Sequence, residues 1–358
     1  MKIPLGLAGL GPIAAALGAA LLFGASTPFA KPLAGEMSAA LLAGLLYAGS
    51  GIGLALVRVL RDGGWRPSGL PRSEWKWLLA AIAFGGVLGP VLLMAGLSRI
   101  SAGSASLLLN LESVLTAVLA WLVFRENAGR RIVAGMLLIV AGGTVLSWPT
   151  NRVAGADWLG PMAIAGACLC WAIDNNLTRK VSASDALYIA GVKGLAAGSV
   201  NVSLALIWGA QAPAWQVTAQ ALLIGFFGYG VSLVLFVLAL RGLGAARTGA
   251  YFSTAPFIGA AFAIGVFDEA TSTAFWIAAA LMGAGVWLHL TERHEHWHTH
   301  EPLYHNHTHV HDEHHAHEHE FEWDGREPHV HPHRHAPITH AHPHYPDIHH
   351  QHGHTEPT

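Results

Sequence analysis

Apolar residues run through the first 291 positions in blocks about twenty long, cut by short polar or proline-containing stretches. A helix of that length crosses the hydrocarbon core of a bilayer. The pattern predicts ten spans, at roughly 9–30, 37–60, 76–97, 102–124, 130–148, 157–178, 185–209, 217–240, 246–267 and 272–291. The cuts fall at Lys31-Pro32, the polar loop 61–76, Arg99, 125–131, 149–152, Arg179-Lys180, Pro213 and Asp268-Glu269. Short loops between long helices make sequence neighbours antiparallel. The fold class is therefore all-α: a polytopic membrane protein.

One block has an echo. The stretch 101–126, SAGSASLLLNLESVLTAVLAWLVFRE, is followed 143 positions later by GAARTGAYFSTAPFIGAAFAIGVFDE at 244–269. Val123, Phe124, Glu126 and Gly142 fall without a gap on Val266, Phe267, Glu269 and Gly285. Two five-span units are predicted, 1–150 and 151–291. Because five is odd, they must lie in opposite orientation, an inverted repeat. That architecture recurs in secondary transporters, whose solute site lies near the midplane between the copies. A receptor or a membrane enzyme has less reason to be pseudo-symmetric, and the chain is read as a non-enzyme. It also lacks the GxxxxGK[ST] pattern of a nucleotide-phosphate loop, which argues against direct ATP drive.

Composition agrees with a body in lipid: 53% of the 358 residues are hydrophobic and 12% are charged. The distribution of Lys and Arg adds an orientation. One set of loops carries 13 of them and the opposite set only Lys31, Arg99 and Arg152, so the N-terminus is expected in the cytoplasm of a cell that holds the chain in its inner or plasma membrane. Ten crossings put the C-terminus there too. Lys2 and the apolar run after it resemble a signal peptide, but the run extends to Lys31 and is needed as one member of the repeat, so it is read as a retained span.

Charged and amide side chains inside the spans are the candidate chemistry, because they are costly in lipid and mark partners or wet pathways. Glu112 sits at the centre of the fourth span. Exclusion of water favours a protonated carboxyl, so Glu112 is read either as a proton-coupling group or counter-ion for a cationic solute, or as a structural acid bonded to a neighbouring helix. Asn110, two residues earlier, points to another side and is either a site residue or an interhelical bond. Asp174, Asn175 and Asn176 lie about a turn from the end of the sixth span. Lys193 lies at similar depth in the seventh, so an Asp174–Lys193 ion pair is expected, either a gate that receives a zwitterion or a fixed structural pair. Tyr251, Ser253 and Thr254 fall opposite the fourth span's polar cluster by the repeat. Gly49/Gly53, Gly85/Gly89 and Gly194/Gly198 have the spacing that lets helix backbones approach. Trp121, Trp148, Trp158, Trp208 and Trp287 are read as an interfacial belt.

The stretch at 101–126, the Gly-rich helix after it ending VAGGTVL, and CWAIDNNLTRK at 170–180 resemble the EamA-type family of the drug/metabolite transporter superfamily. The resemblance covers about 1–291. It implies a ten-helix carrier of small metabolites or drugs, commonly an exporter, working by alternating access. One difference stands out: where such helices often show Glu-Pro, this chain has Glu112-Ser113, and proline appears only in the second copy, as Pro256. Proline therefore supplies no break in the fourth span.

Residues 292–358 are of another kind. They hold 23 of the 24 histidines, 12 acids and three arginines. Such a sequence lacks the apolar residues to bury a core and is expected to be disordered. Neutral imidazole at His-x-His spacing is a good ligand for Ni, Co, Zn or Cu(II). The expected ligands are His305, His307, His309, His311, His314, His315, His317, His319, His329, His331, His333 and His335. No cofactor is expected to be required beyond such an ion. The membrane part has no histidine before His289, and Cys168 and Cys170 are poorly spaced as ligands. The tail is thus read as a buffer or sensor, with a divalent-metal transporter and a transport-free metal sensor as the alternatives. Expected partners are the bilayer, a small solute and metal ions, with a homodimer left open and no nucleic acid.

Overall fold

A computed structural model describes residues 11–64, 70–124, 130–148, 158–181, 185–291, 295–299, 304–309, 329–334 and 339–343. The first copy contains α1 (Pro12–Ala30), α2 (Ala39–Asp62), α3 (Trp75–Ala81), α4 (Gly89–Leu97), α5 (Ala102–Leu108), α6 (Leu111–Phe124) and α7 (Arg130–Ser147). The second contains α8 (Leu159–Arg179), α9 (Ala186–Ile207), α10 (Trp215–Gly225), α11 (Ser232–Phe252), α12 (Ala255–Gly265) and α13 (Thr273–Leu290). Among the described residues, eight helical stretches are long and apolar enough to cross a membrane. Of the other two expected spans, α8 carries Asp174 and Arg179, and α12 is only 11 residues long.

The packing of glycines fixes helix directions independently of hydropathy. Along α2 and α9, Gly44 lies on Asn201 and Val202, Gly51 on Gly194 and Leu195, and Leu54 on Gly191. Rising numbers meet falling ones, so these helices, the second span of each copy, are antiparallel. Gly135 and Gly142 of α7 lie on Gly285 and Ala278 of α13, the fifth spans. Gly103 and Ser106 of α5 lie on Ala263 and Gly259 of α12, the fourth spans. Every one of these counterpart pairs runs in opposite directions, which is what an inverted repeat requires. Gly51 and Gly194 let α2 and α9 approach closely, since a Cβ on either would run into the other helix's backbone.

Each copy also interrupts its third and fourth spans at the same repeat positions. A π-helical turn, Ile82–Leu88, joins α3 to α4, and another, Phe226–Val231, joins α10 to α11. In the first copy Pro90 has no N–H to give Gly86, whose carbonyl is freed for a side chain. The fourth span breaks between α5 and α6, contrary to what the missing proline suggested. Here Leu109, Asn110, Glu112 and Ser113 each donate their N–H three residues back, a tightened 3₁₀ turn. Side chains hold it: Asn110 Nδ2 donates to Leu107 O at 2.9 Å and Ser113 Oγ to Asn110 O at 2.7 Å, competing with the α-helical bonds. The counterpart break lies between α11 and α12 at Ser253–Thr254, where Pro256 helps.

The predicted boundary between 240 and 246 falls inside α11, yet the rings of Phe236 and Phe252 lie 4.9 Å apart, where a straight helix would hold them roughly 24 Å apart, so the chain turns back there as two separate spans require. After α13 the described residues include four short strands, β1 (Glu295–Thr299), β2 (Tyr304–His309), β3 (His329–Arg334) and β4 (Thr339–Pro343). β1 pairs with β4 and β2 with β3, both antiparallel.

Candidate functional site

The polar residues gather where the π-turn of the first copy meets α2, α8 and α9. Gly85 has no side chain because a Cβ there would run into the Asp174 carboxylate. Its carbonyl accepts hydrogen bonds from Tyr47 Oη of α2 at 2.7 Å and from Trp171 Nε1 of α8 at 3.1 Å. The carbonyl of Gly86 accepts from Asn201 Nδ2 of α9 at 3.2 Å. Three helices thus satisfy the backbone that the turn leaves open, as non-helical backbone in a membrane requires.

Asp174 and Lys193 meet. Lys193 Nζ donates to Asp174 Oδ2, and both residues are buried, 6% and 5% exposed. Thr178 Oγ1 also donates to Asp174, at 2.9 Å. Lys193, Ala197 and Asn201 follow each other at four-residue spacing and share one face of α9, which covers Gly86. Beside the pair, Asn175 Nδ2 donates to Glu112 Oε1 at 2.7 Å. That bond carries Glu112, at the start of α6, across to α8. Cys168 Sγ lies 3.8 Å from Leu108 O and 3.9 Å from Leu109 O, close to carbonyls at the break. Glu112 is only half-buried and Asn175 is exposed. Lipid cannot satisfy a carboxyl and an amide left partly uncovered, so both call for a protein or water partner.

The other sequence candidates lie apart. Asn110 is buried and faces Met282 of α13, its amide 3.9 Å from the sulfur. Asn176 donates to Ala172 O within its own helix. Tyr251 and Ser253 sit at the second copy's break, with Tyr251 packed against the cluster of α1 and α11 that includes Ala16 and Leu235. Aromatic rings connect the two places: Phe23 of α1 has its ring centroid 5.9 Å from Trp171, 5.9 Å from Tyr229 and 5.4 Å from Phe252. His311, His314, His315, His317, His319 and His335 lie outside the described residues. Trp148, Trp158, Trp208 and Trp287 are exposed.

Sequence reading missed Tyr47, Trp171 and Asn201. For Asn201 the signal was there, since it is an amide eight residues after Lys193 on the same face. Tyr47 and Trp171 gave none, being aromatic residues in apolar helices.

Charged ties join the copies at both ends of the bundle. At one end the Glu269 carboxylate, after α12, accepts from the amides of Ala102 at 2.9 Å and Gly103 at 3.1 Å, capping α5 of the other copy. Lys31 Nζ donates to Leu97 O at 2.6 Å and Ile100 O at 2.7 Å, so acid and base hold the two sides of one turn. At the other end Arg61 Nη2 of α2 donates to Asp185 Oδ2 at 2.5 Å. Asp185 in turn caps α9 through Leu187 N, at 2.9 Å.

Comparison with known proteins gives the same division into copies. The chain matches the EamA-like transporter family twice, over residues 10–148 and 158–291. It is 27% identical over 285 residues to an uncharacterised transporter from Methanothermobacter thermautotrophicus, an alignment covering 75% of this chain and 83% of that one. It is 42% identical over 116 residues to the probable 4-amino-4-deoxy-L-arabinose-phosphoundecaprenol flippase subunit ArnE of Pseudomonas paraeruginosa, which covers 96% of ArnE but 31% of this chain. A solved crystal structure, 20% identical, superposes with a TM-score of 0.59 over 77% of this chain and 95% of its own. With one family match on each copy and a multi-pass helical body, the chain belongs to the EamA-like transporter family.

Proposed function

We propose that this protein is a secondary transporter, working as an exporter, that moves a small organic solute with a cationic or zwitterionic group by alternating access. The observation that carries this reading is the polar cluster at the repeat interface, where half-buried Glu112 and exposed Asn175 adjoin the Asp174–Lys193 pair. Carboxylates there offer counter-charge to an amine, and Lys193 offers it to a carboxylate. Phe23, Tyr47, Trp171 and Tyr229 supply aromatic faces nearby for a cation or an apolar body. Glu112 couples the cycle to protons in this reading. Names of relatives support a carrier in general: one similar protein is a probable lipid-sugar flippase subunit, and the aminated sugar in its name fits a site with acidic groups.

Alternating access requires the ties at the two ends to release in turn. Ser106, buried between α5 and Gly259 of α12, reports on the Glu269 end. In a chain with Ser106→Cys, adding Glu269→Ala is expected to raise severalfold the rate of labelling by an impermeant maleimide applied from that end. An unchanged rate means Glu269 is no closure.

The N- and C-termini face the cytoplasm in this reading, and the tail binds divalent metal as a buffer or sensor. Deleting everything after Thr291 is expected to remove most zinc or nickel binding and leave membrane insertion intact, read by metal analysis of the purified protein. Retained stoichiometric binding assigns the metal elsewhere.

Flux in vesicles containing the purified protein tests the whole reading. Proton-dependent movement of organic amines or amino acids supports it. Nickel, cobalt or zinc flux that depends on Glu112 would replace it with a metal transporter, and no flux across a wide panel with a metal sensor.

A further inference from the structure

The Asp174–Lys193 pair is built like a bound amine. A Cβ on Gly86 would meet Ala197, the edge of the Tyr47 ring and Cγ of Lys193, while a Cβ on Gly85 would run into the Asp174 carboxylate. The lysine stem therefore crosses one glycine, and its ammonium meets the carboxylate over the next. Tyr47 and Trp171 border the same place through their hydrogen bonds to Gly85 O. A primary ammonium on a straight alkyl chain thus lies among a carboxylate and two aromatic residues, and the chain is the protein's own. Among the described residues, two carboxyls share this one lysine. Asn175, next after Asp174, holds Glu112 beside the pair, within electrostatic reach of both Asp174 and Lys193. Cys168 of α8 and Tyr47 of α2 are the other titratable groups around Glu112 among the described residues. With one lysine for two carboxyls, the cluster is balanced only when Glu112 holds a proton or a second cation enters.

Resting on the carrier reading above, we propose that Lys193 is a tethered stand-in for the solute: an unbranched primary ammonium takes its place at Asp174, Lys193 moves to Glu112, and Glu112 gives up its proton. The exchange balances. One ammonium enters, one proton leaves, and each ionised carboxylate keeps a cation, so the cost of a buried unpaired charge is avoided. Like replaces like at Asp174. A lysine can change partner in this way because its ammonium is a point charge on a flexible four-carbon stem. The solute class follows from the same contacts: the place that holds Lys193 takes a straight alkyl chain ending in three N–H donors, whereas a quaternary ammonium has no donor for Asp174.

The test uses the full chain in detergent with n-propylammonium, the fragment that Lys193→Ala removes. In that variant n-propylammonium should raise the melting temperature by several degrees and tetramethylammonium should not. Asp174→Asn/Lys193→Ala should respond to neither. The second measurement uses the native chain and so does not depend on how a variant folds. Adding n-propylammonium in weak buffer near neutral pH should release a proton from each chain that binds it, and Glu112→Gln should bind without release. A pair that is only structural would show the rescue of Lys193→Ala but no proton release from the native chain, and that result would overturn the exchange. Equal stabilisation by the two ammonium ions, or stabilisation by n-propylammonium once Asp174 is replaced, would overturn it too. These outcomes are separate from transport. Proton release with no flux of any amine in vesicles would keep the exchange and remove the carrier, whereas amine flux without proton release would do the reverse.

Discussion

Lys193→Met is expected to destabilise the folded protein by about 3–5 kcal/mol, because it leaves the Asp174 carboxylate buried without its cation. The neighbours cannot make up the loss: among the described residues Thr178 Oγ1 is the other hydrogen-bond donor to Asp174, and Asp174 is only 6% exposed. Removing both charges together, Asp174→Leu/Lys193→Met, should restore most of the stability, since an apolar pair of similar volume avoids the desolvation that the ion pair incurs. Exchanging the two residues, Asp174→Lys/Lys193→Asp, should recover part of it. Thermal stability in detergent reads all three. The apolar double variant also separates the two roles of the pair. If the pair only holds α8 to α9, transport survives in the stable double variant. If it takes part in solute handling, transport is lost while stability is kept, and that second result is expected.

Glu112→Gln is expected to abolish proton-dependent transport while leaving the fold intact. Glutamine keeps the length of the side chain and its oxygen can still accept from Asn175 Nδ2, a bond of 2.7 Å in the native chain. What it loses is the ability to carry a charge or release a proton. Because Glu112 is half-buried, the neutral amide should cost little in stability. Uptake into vesicles measured across a range of pH reads the effect. A Gln variant with the native pH dependence would show that Glu112 serves only as a bond between α6 and α8.

Most of the architecture was legible in the sequence because a bilayer imposes a strict length and polarity on each span. The inverted arrangement followed from an odd number of spans per copy, and the antiparallel packing of Gly51 on Gly194 shows it in space. The Asp174–Lys193 contact was legible from shared depth alone, since neither charge could be buried without a partner. The break at Asn110 was not, because a side chain that bonds back to the preceding turn leaves no proline to announce it. The turn between the eighth and ninth spans was legible from Arg241 and Arg247, and the contact of Phe236 with Phe252 shows it in space.

The most direct test of the central claim is to find the sides on which the two copies of the VFxE motif end. In a chain with Cys168→Ala and Cys170→Ala, single cysteines at Asn127 and at Ala270, just after Glu126 and Glu269, would be labelled with an impermeant maleimide in right-side-out and inverted vesicles. The account predicts that Ala270→Cys reacts only from outside and Asn127→Cys only from the cytoplasmic side. Labelling of both from the same side would mean that the copies share one orientation, and the alternating-access reading would fall with it.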